Sequence, residues 1–180
     1  MVMYSRVDVN YKLWSFENFF SNDLPHRILE DSKQFDFYKI EKERTSRPNR
    51  IFMNMYDIPS FKECCSILDS KELKQELSTL TDNDFTNHSS RIELCLDSKG
   101  SWLEEHVDDP AKHTTMQIYL TDSNISTTFN SKKSSAKFNN GWFFVNTGTE
   151  KHSLPPLEHD RISIIVNWVD NLWRDRTVLV

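Results

Sequence analysis

Eight short segments with strand character follow one another in the second half of the chain. They are Arg91–Leu96, Trp102–Val107, Thr114–Thr121, Ile125–Phe129, Ala136–Phe138, Gly141–Asn146, His152–Leu154 and Arg161–Trp168. The breaks between them are rich in Asp, Asn, Ser, Lys and Gly, the residues that make turns. So many strands in ~80 residues point to a sandwich or jelly roll. This feature constrains the fold more than any other.

The first 90 residues have a different texture. Val7–Phe16 alternates as one strand, and Ser21 or Asn22 caps a helix with Pro25 in its first turn, running to about Gln34. Phe35–Ile40 reads as a strand and Arg44–Arg50 as a polar loop. Ser60-Phe-Lys-Glu63 is a capping box, followed by Phe61, Cys64, Ile67 and Leu68 at helical spacing. Ser70 opens a further helix with Leu73, Leu77 and Leu80 on one stripe. The fold expected is α+β, mainly β: one domain over 1–180, with residues 1–90 supporting a jelly-roll core at 91–170. The early helices would cover one sheet face.

Composition narrows the function. Three glycines in 180 residues, against about twelve at average usage, build neither a Walker A loop nor a GxGxxG turn, and neither pattern occurs. A formal net charge of −5 argues against a general nucleic-acid binder. Cys64, Cys65 and Cys95 form no CxxC and no even framework, so free thiols in a reducing compartment are expected. The N-terminal Met-Val-Met-Tyr-Ser-Arg lacks an apolar signal core, and no apolar run approaches bilayer length. A soluble, cytoplasmic protein without a membrane partner is the expectation. Nothing in the sequence speaks to its oligomeric state.

Chemistry concentrates at His106-Val107-Asp108. On extended backbone, residues two apart face the same way, so both side chains can reach one ion. His152, 44 residues beyond Asp108, is a candidate third ligand. Two imidazoles and one carboxylate form the facial set of non-haem iron(II) sites, which leaves coordination positions open. A His-x-Asp pair alone carries little weight, because composition predicts about one such match by chance. Its company matters more. Arg161 and Ser163 stand nine and eleven residues after His152, and alternation puts them opposite Ile162, Ile164 and Val166. An arginine beside a hydroxyl makes a carboxylate receptor.

This ordered set resembles the iron(II)- and 2-oxoglutarate-dependent dioxygenases. The run His106-Val-Asp-Asp-Pro110, then Met116-Gln-Ile-Tyr-Leu120, is most similar to the prolyl-4-hydroxylase-like branch. The resemblance implies a double-stranded β-helix fold, with Fe2+ on His106, Asp108 and His152. It implies 2-oxoglutarate, the co-substrate, on Arg161, Ser163 and Tyr119. It further implies O2 as oxidant and a hydroxylase reaction releasing succinate and CO2. The alternative is a non-catalytic jelly-roll binding module of the same descent. The substrate is small or peptidyl, and Trp142, Arg50 and Arg91 are the candidate pocket residues.

Overall fold

The computed structural model describes residues 2–8, 10–33, 50–53, 58–130 and 132–170, with backbone alone for 51–53. The expected Phe35–Ile40 strand and most of the Arg44–Arg50 loop lie outside the described residues. Among those described, eleven strands and three helices run in the order β1(Met3–Asp8), β2(Leu13–Glu17), α1(Leu24–Ser32), β3(Arg50–Met53), α2(Pro59–Leu68), α3(Lys71–Thr81) and β4(Ser89–Asp97). After these come β5(Leu103–His106), β6(Lys112–Tyr119), β7(Thr128–Phe129), β8(Lys132–Lys133), β9(Gly141–Val145), β10(His152–Leu154) and β11(Arg161–Val169). A seven-stranded sheet has the order β1-β2-β9-β6-β11-β4-β3, and a four-stranded sheet the order β5-β10-β7-β8. All neighbours are antiparallel. This is the mainly β jelly-roll arrangement expected, built as two sheets.

Strand alternation sorts the large sheet into two opposite environments. Ile92, Leu94, Met116, Ile118, Ile164, Val166 and Trp168 point to one side and are almost fully buried. They pack in one apolar cluster with Leu24 and Ile28 of α1, Phe61, Cys64 and Leu68 of α2, and Leu73 and Leu77 of α3. Each such side chain contributes about 1.5–3 kcal/mol relative to exposure. The helices therefore cover one face, which leaves the other to the small sheet and the polar residues. Among the described residues no helix is long and apolar enough to cross a membrane.

Local differences from the sequence reading have identifiable causes. The Val7–Phe16 segment is a hairpin, β1 paired with β2, because the Asp8 carboxylate accepts the Asn10 and Tyr11 amides and turns the chain. Pro59 begins α2 one residue before the supposed cap, so Ser60 lies inside the helix and its hydroxyl bonds Asp31. Ser70 does cap α3, accepting the Leu73 amide at 3.2 Å. Leu80 is 37% exposed and leaves the stripe. Ala136–Phe138 forms no strand, whereas Lys132–Lys133 pairs with Thr128–Phe129.

Gly141 is needed for close approach. A Cβ there would lie 2.0 Å from the Gln117 carbonyl oxygen and 2.6 Å from the Phe16 ring. The missing side chain lets β9 lie against β6 and β2 at this point, which seats Trp142 beside Gln117.

Candidate metal centre and its cavity

Two antiparallel neighbours in the small sheet bring the histidines together. His106 closes β5 and His152 opens β10, and they are direct register partners. Their rings lie 4.3 Å apart between centroids. Asp108 follows two residues after His106, and its Oδ1 is 4.0 Å from His106 Nε2. One ligand atom from each of His106, Asp108 and His152 falls within 4.8 Å of the others.

Each imidazole is oriented in the same way. His106 Nδ1 is 2.9 Å from the Glu104 carbonyl, and His152 Nδ1 is 3.0 Å from the Glu150 carbonyl. A carbonyl only accepts, so Nδ1 carries the proton and Nε2 presents a lone pair. Burial pushes His152 down to about 4, against the pull of Asp108, so the ring is neutral at neutral pH. His106 Nε2 is buried and has no hydrogen-bond partner among the described residues. An orphaned lone pair beside a second imidazole and a carboxylate is what a metal ion would satisfy.

Asp108 is 6% exposed. Lys112 Nζ donates to its Oδ1 at 2.9 Å and Thr115 Oγ1 to its Oδ2 at 2.6 Å. Burial works against its charge, but Lys112, His152 and the two hydrogen bonds overcome this and hold the carboxyl well below the usual range. Thr115 Oγ1 is also 3.2 Å from the Asn167 side chain. Threonine has one hydroxyl proton, and the shorter contact to Asp108 takes it. The Asn167 amide is therefore better assigned with its NH2 toward Thr115 and its carbonyl oxygen turned away.

A cavity with an empty volume of about 550 Å³ opens between the two sheets at this cluster. Asp108, His152, Thr115, Asn167, Trp142 and Gln117 border it, as do Arg50, Arg91, Glu93 and Arg161. At the Arg161 end, Asp97 receives two guanidinium groups. Arg161 Nη2 reaches Asp97 Oδ2 at 2.8 Å, Arg50 Nη2 reaches the same atom at 2.9 Å, and Arg50 Nε bonds Oδ1. Burial alone would raise Asp97, but Arg50 and Arg161 outweigh it and hold the carboxyl down to about 2. Arg161 is fully buried, yet its Nε and Nη1 have no partner among the described residues. Unpaired guanidinium hydrogens facing a cavity suit an incoming carboxylate.

The remaining sequence candidates fall in distinct places. Ser163 and Tyr119 are both fully buried. Ser163 Oγ accepts the Gln117 amide at 2.9 Å, and Gln117 in turn contacts Thr127. Tyr119 Oη accepts the Trp142 indole N–H at 2.9 Å and lies 3.1 Å from Ser134 Oγ. Its ring sits under Arg161, with the guanidinium carbon 5.4 Å from the ring centroid. Arg91 bonds Glu93 on the shared strand face, and both border the cavity. Sequence reasoning missed Asp97, Lys112, Thr115, Gln117 and Asn167. Alternation from Tyr119 back to Thr115, and from Ser163 on to Asn167, was the available signal.

No family model matches the sequence, and no curated protein matches it. Solved structures do resemble the fold. A prolyl-4-hydroxylase from Pseudomonas putida aligns with a TM-score of 0.69 at 12% identity, covering 89% of this chain and 94% of that one. A Trichoplax adhaerens prolyl hydroxylase, bound to a peptide of the hypoxia inducible factor oxygen degradation domain, aligns at 0.70 and 15% identity over 93% and 87%. HygX from Streptomyces hygroscopicus, with nickel and 2-oxoglutarate bound, aligns at 0.64 and 10% identity over 89% and 84%. The chain thus has the fold of prolyl-4-hydroxylases and other 2-oxoglutarate–iron(II) oxygenases.

Proposed function

We propose that the chain is an iron(II)- and 2-oxoglutarate-dependent oxygenase acting with O2 on a small-molecule or peptidyl substrate. One observation carries the reading. A single cavity is bordered by Asp108 and His152, which converge with the unpartnered His106 Nε2, and also by Arg161 with its unpartnered guanidinium nitrogens. The first invites a cation and the second a carboxylate.

His106 and His152 would hold the metal through Nε2 and Asp108 through a carboxylate oxygen. Nitrogen and oxygen donors suit iron(II), and three protein ligands leave positions open. When bound, iron would provide the place where O2, the oxidant, is activated, with 2-oxoglutarate the co-reductant that gives up two electrons and becomes succinate and CO2. The chain's own residues prepare that chemistry. The Glu104 and Glu150 carbonyls fix the imidazole tautomers, while Lys112 and Thr115 keep Asp108 ionised and aimed.

Arg161 would take the far carboxylate of 2-oxoglutarate, steadied from one side by Asp97 and from below by the Tyr119 ring. Tyr119 acts through its ring, because its hydroxyl is engaged by Trp142 and Ser134. Ser163 accepts from Gln117, which leaves its hydroxyl proton to donate toward the same carboxylate. Trp142, Leu103 and Leu154 border the cavity and keep water out. A binding module without chemistry has no use for a buried orphan lone pair among three converging ligands.

Calorimetry with 2-oxoglutarate and Mn2+-loaded protein tests the reading. Binding should require the metal and should weaken sharply in Arg161→Ala. Binding indifferent to both would overturn it.

A further inference from the structure

Between β9 and β10 the chain turns through Asn146–Glu150. Thr147, Gly148 and Thr149 are exposed there, yet Glu150 is fully buried. Its Oε2 accepts the Thr147 amide at 2.7 Å and the Thr149 amide at 3.2 Å. Its Oε1 accepts both threonine hydroxyls. A carboxylate buried this deeply is tolerated only when its oxygens are so occupied. Gly148 has φ +84°, the left-handed conformation that favours glycine, which closes the turn. The main-chain carbonyl of Glu150 is the acceptor for His152 Nδ1. One residue thus links the turn, through its side chain, to the imidazole, through its backbone.

Asn146 makes a second link. Its NH2 donates to the Asp109 carbonyl at 2.9 Å and to the Lys112 carbonyl at 2.8 Å. Its Oδ1 accepts the Gly148 amide at 3.0 Å. Two carbonyls and one N–H permit only this orientation of the amide. Both carbonyls flank the turn that follows Asp108, and the Lys112 ammonium bonds the Asp108 carboxylate. Asp108 lies beyond the end of β5 at His106, so strand pairing does not set its distance from His152.

Resting on the oxygenase reading, we propose that Asn146 and Glu150 are positioning residues of the metal centre. They clamp the Asp108 loop to the His152 turn and hold both side chains at ligand spacing before a metal arrives. Ligands ordered in advance bind an ion more tightly, because no ordering cost remains at the moment of binding. Asn139 offers a structural counterpart. Its side chain also joins distant segments, accepting the Phe20 amide at 3.0 Å and donating to the Phe20 carbonyl at 2.8 Å. Those bonds reach neither the Asp108 loop nor the His152 turn.

The test uses the full chain and reads Mn2+ affinity by electron paramagnetic resonance well below the melting temperature, with folding checked by near-ultraviolet circular dichroism. Asn146→Ala, Asn146→Asp and Glu150→Gln should each weaken Mn2+ binding about tenfold or more. Asn146→Asp keeps the shape and the acceptor for Gly148 but loses both donors, so it should bind no better than the alanine variant. The zero-field splitting of bound Mn2+, which follows ligand geometry, should change in all three. Asn139→Ala should lower the melting temperature and leave Mn2+ affinity within about twofold. In the metal-free wild type, the Thr147 and Gly148 amides should resist hydrogen exchange despite their exposed positions.

Folded Asn146 and Glu150 variants that bind Mn2+ within about threefold of the wild type would overturn the proposal. So would an equal loss in Asn139→Ala, since the effect would then follow stability rather than the clamp. If the Asn146 and Glu150 variants do not fold, the exchange measurement decides, and unprotected Thr147 and Gly148 amides overturn the clamp. Wild-type protein that binds no Mn2+, or binds it unchanged after His152→Ala, would overturn the oxygenase reading with it. Mn2+ binding lost in His152→Ala but kept in the Asn146 and Glu150 variants overturns this proposal alone.

Discussion

The two ends of the cavity solve opposite electrostatic problems with similar parts. At the candidate metal end, the imidazoles of His106 and His152 and the Asp108 carboxylate converge, and the orphaned atom is His106 Nε2. At the far end, two guanidinium groups share one carboxylate, and the orphaned atoms are donors, Arg161 Nε and Nη1. Each end holds one buried aspartate fixed by cationic neighbours: Asp108 by Lys112, and Asp97 by Arg50 and Arg161. The difference lies in what remains unsatisfied. Leftover lone pairs call for a cation, and leftover N–H groups call for an anion. A molecule bearing carboxylates at both ends, one chelating a metal, answers both.

The largest expected effect separates the ends most cleanly. His152→Ala or Asp108→Ala removes a proposed ligand and should weaken Mn2+ binding by more than the roughly 100-fold typical of losing an outer partner. Electron paramagnetic resonance titration measures it, and near-native affinity would remove those residues from the centre. Next, Arg161→Ala should raise the half-saturating 2-oxoglutarate concentration by roughly 30-fold or more, the scale of truncating one partner of a buried charged pair. Mn2+ affinity should stay within about threefold. If the two affinities fell together, the ends would not be separate sites.

The third prediction concerns pH and the far end alone. Asp97 is held at about 2, below its ordinary 3.8, because the attraction of Arg50 and Arg161 outweighs the opposing effect of burial. Its folded value is depressed, so its stabilisation is complete above pH 3.8 and is lost as pH falls toward 2. The loss amounts to about 2 kcal/mol. Chemical denaturation across this window should show the slope in the wild type and a flatter one in Asp97→Asn. The smallest effect expected is that of Thr115→Val, which keeps shape but removes the hydrogen bond to Asp108. It should cost about tenfold in metal affinity, and no change would show that Lys112 alone positions the carboxylate.

Much of this contrast was legible in the sequence. His106, Asp108 and His152 stood out through their company with Arg161 and Ser163, which strand alternation separated from Ile162, Ile164 and Val166 as the sheet does. What was not legible depends on partners distant along the chain. Arg161 meets Asp97 across 64 residues and Asn167 meets Thr115 across 52, and only register decides such meetings. Tyr119 shows the same limit, since strand position sets its face while Trp142 and Ser134 decide what its hydroxyl can do. The helix starts obeyed local chemistry, with Pro59 preceding Ser60 as the opening residue of α2.

One measurement reaches the central claim directly. Anaerobic addition of Fe2+ and 2-oxoglutarate together should give a weak metal-to-ligand absorption band in the visible. The band should be absent with either alone and lost in Asp108→Ala. In Arg161→Ala it should need a much higher 2-oxoglutarate concentration. No band from the wild-type protein at any concentration, with no 2-oxoglutarate bound by calorimetry, would contradict the account.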